Sequence, residues 1–413
     1  MPVLLTLAAT ASALTLQHTP LKVGQPATLV ATGGTPGATV GFVVSTVGEG
    51  AGPCPPVLGG ACLGVLSPTL LGTAVANNQG TAVLQAVVPP GAPLIDVALQ
   101  AAQAGASPTV SAPLTSPLLG VLVGDALLDL SYTFDELRHY WRIDGVLSHG
   151  NGPTTVLALP DLESVDRLDL RSAAVTAVSL PRLTTLGSLR MQSSGTVTVD
   201  LDALVSLVDD PVAPVEVGLA LYNQASVTVN APLLEETSWI LLSGNTAVAL
   251  HMPSLTRTGS LSASGGEVTL DLPALATVSG PVPSTVTQEP GVWVSGITNT
   301  ALDVLPQLHQ VDGLIQVTHN QSLLALDRLG ADDLTVTGGA YWGLVLVNNH
   351  QLASVQAFPA TTTFLAGTVQ VADNWALPSC EAEALVLRVN PPGALSCYRN
   401  LADACVTPSS LCR

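Results

Sequence analysis

The amino-acid sequence predicts an all-β protein, an N-terminal β-sandwich followed by a parallel β-helix. Three observations carry that expectation. Residues 14–105 alternate short Val-, Thr- and Ala-rich runs with Gly, Pro and Asn turns, and show no helical period. From Pro160 onward a Leu-Pro-x-Leu-x-x-apolar motif returns at steps of 20–21 or 30–33 residues, the behaviour of stacked coils with loops of varying length. In the C-terminal half, apolar-x-apolar-x-x-Asn-x-x-apolar recurs four times at one spacing.

The 413 residues suffice for two or three domains at about 150 residues each. They carry 12 Lys+Arg against 30 Asp+Glu, a formal net charge of −18, and Lys22 is the single lysine. This balance excludes a nucleic-acid binder as the default, because neutralising phosphates needs clustered basic groups. At 47% hydrophobic residues the chain also lies outside the disordered class. No apolar stretch reaches the ~18 residues of a membrane-spanning helix. Gly120, Gly124, Asp125 and Asp129 interrupt the closest one, so an integral membrane protein is not expected.

The elements follow in chain order. Residues 1–13, MPVLLTLAATASA, join an apolar run to Ala11-Ser12-Ala13, a small-residue pattern of the signal-peptide type. No basic residue precedes the run, so it also reads as a first strand or as part of a leader that begins upstream. Residues 14–105 give strands at LTLQ, ATLVATG, ATVGFVVST, TLLGTAVANNQG, TAVLQAVVPP and DVALQA, an Ig-like antiparallel pattern with a hairpin turn at Asn77–Gly80. Residues 106–130 carry Pro108, Pro113 and Pro117 among Ser and Thr, the composition of a linker. SYTFDELRHYWRIDG, at 131–145, is the best helix in the sequence, capped by Ser131 or Thr133, and opens the repeat region 131–378 as a helical cap. Residues 379–413 form a Cys-rich C-terminal cap.

Within the repeats the first motif appears as Leu159-Pro160-x-Leu162, Leu180-Pro181-x-Leu183, Leu272-Pro273-x-Leu275 and Leu305-Pro306-x-Leu308. Leu201-Asp202-x-Leu204 keeps the leucines with Asp in place of Pro, and weaker copies begin at Pro232, Pro253, Asp327 and Pro359. The second motif places Asn245, Asn320, Asn349 and Asn374 after their aliphatic pairs. Two apolar residues two apart point to one face of a strand. The Asn then turns the corner, because it tolerates left-handed backbone and bonds neighbouring amides. Stacked on successive coils, such side chains would pair in a ladder that leaves no buried polar group unsatisfied. A leucine-rich-repeat horseshoe is the alternative, but the Thr-, Val- and Ser-rich stretches between motifs favour strand over the helix that fold uses.

Segments such as VDGLIQVTHNQSLLALDRL, LVLVNNHQLASV and VQVADNWALPSCEAEAL resemble receptor L-domain repeats, over roughly residues 140–405. FVVSTVGEGAGPCPPVLGGACLGVL looks like a module found ahead of repeats in secreted proteins of soil and predatory δ-proteobacteria. The resemblance implies a right-handed β-helix and a bacterial secreted or cell-surface protein with a recognition or adhesion role, and transfers no functional residue.

Cysteine usage agrees with export. Cys54 and Cys62 sit in a Pro/Gly-rich loop without His or acid, and Cys380, Cys397, Cys405 and Cys412 crowd the last 34 residues, so disulfides in an oxidising compartment are expected. A four-cysteine zinc site is the alternative at the C-terminus, but the spacings lack close C-x₂₋₄-C pairs.

None of the seven histidines has the H-E-x-x-H arrangement, and no G-x-S-x-G elbow occurs. Gly48-Glu49-Gly50-Ala51-Gly52 fails as a dinucleotide loop because Pro53-Cys54 follows where a helix should open. Asn320-Gln321-Ser322 is a glycosylation sequon on a ladder position. Asp209-Asp210, Glu235-Glu236 and Asp332-Asp333 are adjacent acids expected in solvated loops or, alternatively, on Ca²⁺. A β-helical polysaccharide lyase or hydrolase is the enzymatic alternative, yet the solenoid contains no lysine to hold a polyuronate. Catalytic residues, metal and cofactor are therefore expected to be absent. Trp293, Tyr341, Trp342 and Trp375 are the aromatic binding candidates, and the expected partner is a protein or a glycan. A purely architectural spacer is the competing role.

Overall fold

The computed structural model describes residues 13–149, 152–171, 174–192, 195–207, 218–279, 291–303, 305–330, 333–338, 342–355, 358, 361–389 and 395–401. Residues 1–12 of the signal-peptide segment, Tyr341, Cys405, Cys412, Asp209, Asp210, Asp332 and Pro359 lie outside the described residues. The chain divides into two compact units. The first holds residues to Val121 together with Arg138–Trp141, and the second the remainder.

Alternation of buried and exposed residues builds the first unit. Strands β1 (Thr15–His18), β3 (Pro26–Thr32) and β6 (Ala82–Val87) form one antiparallel sheet. β4 (Thr39–Ser45) pairs antiparallel with β5 (Thr69–Val75) and β7 (Asp96–Gln103) in a second. β8 (Thr109–Val110) and β9 (Leu114–Val123) extend it antiparallel to β7, and β2 (Leu21–Lys22) runs parallel to β9. Leu29, Phe42, Ala82, Leu99 and Leu118, drawn from both sheets, share one buried cluster. The loop closed by the Cys54–Cys62 disulfide lays Leu58, Leu63 and Val65 against Val43 and Ala98 in a second, smaller cluster.

Two expectations need correction here. Residues 106–130 are not a linker, because β8 and β9 lie within them and the division between units falls at Val121. Their Pro/Ser/Thr content suggested extension without partners, but burial of Leu118 and Leu119 decides the matter. The helix expected at 131–145 shrinks to α1 (Phe134–Leu137). Thr133 and Glu136 do form a capping box, with the Thr133 amide donating to Glu136 Oε2 at 2.7 Å. The β-forming residues beyond, from Tyr140 to His149, become a strand that pairs in parallel with Ser164–Leu170.

From there successive coils add parallel strands. The first sheet runs through Ser164–Leu170, Thr185–Gln192, Leu219–Tyr222, Ile240–Ser243 and Leu261–Asp271. It continues through Gly291–Ile297, Leu314–Thr318, Trp342–Val347, Thr368–Ala372 and Leu395–Tyr398. Register stacks Leu189, Leu219, Ile240, Leu261 and Val292, then Ile315, Leu344 and Val369, in one inward apolar column. A second sheet joins Ala177–Ser179, Thr196–Asp200, Ser226–Asn230 and Ala247–His251, and the end of Leu261–Asp271 completes it.

The Leu-Pro-x-Leu motif is a turn. The amide of the second leucine donates to the carbonyl of the first in Leu180–Leu183 at 3.1 Å, Leu272–Leu275 at 3.1 Å and Leu305–Leu308 at 3.2 Å. Proline at the second position presets φ and surrenders no needed donor, while both leucines are buried. Asp327 does not start a copy. It lies in the strand Ala325–Arg328, which pairs with Ala301–Asp303. The C-terminal segment is more than a cap: α2 (Ser379–Val389) precedes Leu395–Tyr398, a further rung of the first sheet.

Candidate functional site

From the strand Leu219–Tyr222 onward, the corner of each first-sheet rung carries a residue with positive φ. These are Asn223 (51°), Gly244 (66°), Gly265 (78°), Gly296 (64°), His319 (60°), Asn348 (60°), Asp373 (55°) and Arg399 (55°). The left-handed residue is thus the one before the motif Asn, and not the Asn itself as expected. The Asn serves the second function, pairing amides. Asn320, Asn349 and Asn374 are fully buried. Asn320 Nδ2 donates to Asn349 Oδ1 at 2.8 Å, and Asn349 Nδ2 to Asn374 Oδ1 at 3.1 Å. Each oxygen also accepts a main-chain amide, Asn349 Oδ1 that of Asn320 at 3.2 Å and Asn374 Oδ1 that of Asn349 at 3.0 Å. Each nitrogen reaches a strand carbonyl as well, Asn349 that of Val317 and Asn374 that of Leu346, both at 2.9 Å.

Asn400 continues the column, accepting from Asn374 Nδ2 at 3.3 Å. Its signal was present as Leu395-x-Cys397-x-x-Asn400, with Cys in the second apolar place. Asn245 does not belong to this ladder. It accepts the Gln224 amide at 2.9 Å and donates to the Leu221 carbonyl at 3.0 Å. On the next rung stands Gly266, where a Cβ would meet the Asn245 carbonyl oxygen at 1.9 Å, so no amide side chain fits. Ile297 follows, and its amide is the donor on which Asn320 Oδ1 closes the series, at 2.9 Å.

With the Asn residues inside, their neighbours on both sides form two outward rows. The left-handed row is His319, Asn348, Asp373 and Arg399. His319 Nε2 lies 3.1 Å from Asn348 Nδ2, and Arg399 Nη1 lies 3.5 Å from Asp373 Oδ1. The second row is Gln321, His350, Trp375 and Leu401. The His350 and Trp375 rings stack with centroids 3.9 Å apart and planes 4° from parallel, and Trp375 stays 60% exposed. Tyr398, at the end of the last strand, accepts a hydrogen bond from Gln370 Nε2 through its hydroxyl at 3.2 Å.

The aromatic candidates do not assemble on one face. Trp293 sits between the buried Val292 and Val294, as alternation requires, but is itself half-buried, and its indole N–H has no partner. Trp342, also half-buried, opens another strand of the same sheet, while Trp375 lies past the corner. Only Trp375 among the described candidates is well exposed.

Four histidines elsewhere lie against aspartates: His139 on Asp96 at 3.2 Å, His149 on Asp129 at 3.2 Å, His251 on Asp271 and His309 on Asp333. Burial pushes the Asp129 carboxyl up, but the Thr154 hydroxyl and amide and the His149 ring outweigh it, leaving it below the ordinary carboxylate value. The hydrogen bond from His309 holds Asp333 low in the same sense. Among the described residues no three His, Cys, Asp or Glu side chains converge as a metal site. Cys380 and Cys397 are each disulfide-bonded, which removes the four-cysteine zinc alternative. No helix among the described residues is long and apolar enough to cross a membrane.

Comparison with family models, with curated proteins and with solved structures finds no match.

Proposed function

We propose that this chain is a non-catalytic recognition or adhesion protein, secreted or held at a bacterial cell surface. In this reading the first unit is an Ig-like β-sandwich and the second a right-handed, receptor L-domain-like β-helix. The observation that carries it is the pair of outward rows at the late corners, where His319, Asn348, Asp373 and Arg399 occupy a backbone position that favours glycine. Non-glycine residues in that conformation cost about 1–2 kcal/mol each, which makes four in succession a feature to be explained by what their side chains do. The Cys54–Cys62 bond supports an oxidising compartment.

A purely architectural spacer is the second reading, favoured by the unbroken inward columns of Leu, Ile and Val. Immobilised full-length chain, exposed to cell-surface extracts and to soluble polysaccharides with and without Ca²⁺, separates the possibilities. Saturable retention without release of new reducing ends or unsaturated products supports recognition. Time-dependent release of such products overturns the non-catalytic reading, and absence of all retention favours the spacer.

A further inference from the structure

We propose that the two late corner rows are a binding site for a neutral oligosaccharide, with Trp375 stacking on a sugar ring and the Asp373–Arg399 pair bonding its hydroxyls. This names a ligand class for the recognition reading and rests on it. One face of Trp375 is taken by His350, yet 60% of the residue remains in solvent, so its second face and edges are open. An indole fixed from behind loses little freedom when an apolar ring face settles on it.

The flanking groups are planar and polar: His319, Asn348, Asp373 and Arg399, with Gln321 alongside. Carboxylate and guanidinium present paired acceptors and paired donors, the geometry that grips adjacent hydroxyls. Their mutual contact, at 3.5 Å, is long for a charge-assisted bond, so both retain capacity for a ligand. The Arg399 side chain is 76% exposed and within reach of solvent-borne partners.

Charge selects the ligand class. Asp373 and Arg399 cancel locally, and the chain as a whole carries −18, which repels polyanions. Neighbouring rungs stand about 4.8 Å apart, on the scale of one sugar ring, so a linear glycan lying along the rows meets a fresh corner residue at each ring.

Affinity electrophoresis of the full chain through gels carrying a neutral glucan, mannan or galactan, with polygalacturonate as the anionic control, tests the site. Retardation by a neutral polymer is expected, and none by polygalacturonate. Trp375→Ala is expected to lose at least tenfold in affinity and Arg399→Ala several-fold, both with unchanged melting curves. Migration unaffected by every neutral polymer overturns the proposal, as does a Trp375→Ala chain retarded like the wild type. Retention of cell-surface material by a chain that ignores all neutral polymers removes this site and leaves the recognition reading standing; absence of both removes the reading too.

Discussion

The corners of the middle coils and of the late coils solve one problem in two ways. At 244, 265 and 296 the left-handed residue is glycine, and the neighbouring rungs at 266 and 297 offer no amide side chain. From 319 to 399 the left-handed residue is His, Asn, Asp or Arg, and the next residue is always a buried Asn. Glycine removes the steric cost of the corner. The Asn ladder leaves that cost in place and offsets it by satisfying main-chain amides and carbonyls that would otherwise be stranded. The gain is a side chain at every exposed corner, and the exposed Trp375 occurs there and not on the glycine rungs.

The comparison breaks most visibly at the ladder. Asn349→Leu strands the Asn320 amide and the Val317 carbonyl, and is expected to cost about 3–4 kcal/mol, read as a lower denaturation midpoint of the second unit. Gly265, with no ladder to lose, serves as the contrasting rung. The first unit is held by another device, and Cys54→Ser combined with Cys62→Ser is expected to cost it about 2–3 kcal/mol while the solenoid transition stays put in calorimetry.

A smaller effect distinguishes the solenoid's first coil from its last. Because the folded Asp129 carboxyl titrates below its unfolded value, its contribution is present above the unfolded value and is lost as pH falls through the folded one. Melting temperatures measured below about pH 4 are therefore expected to fall more steeply for wild type than for Asp129→Asn. Least in size, Asp202→Pro completes the turn of the one clear copy lacking proline and should add about 0.5–1 kcal/mol; a loss instead would show that this turn differs from its neighbours.

Much of the solenoid was legible because its signals are local and repeated. Proline in a three-bond turn and aliphatic pairs two apart each have a single geometric use, so the turns at Pro181 and Pro306 and the column through Ile315 and Leu344 fall where the spacing puts them. What escaped depends on neighbours in space. Asn245 and Asn320 share one motif spacing, and the rung above, Gly266 in one case and Asn349 in the other, decides which joins a ladder. Likewise β9 carries linker-like composition, and its parallel pairing with β2 comes from a strand far back in the chain. The outward rows were half visible. Trp375 stood out by type, but His319, Asp373 and Arg399 acquire meaning only once the corner residue is known to be the one before the Asn.

A double-mutant cycle between His319→Gly and Asn349→Leu tests the corner directly, because Asn349 Oδ1 holds the amide that follows His319. If the ladder enforces the left-handed turn, glycine at 319 stabilises the wild type by about 1 kcal/mol and contributes less than half as much once Asn349 is gone. Equal gains in both backgrounds would show that the turn is held without the ladder, and would contradict the account.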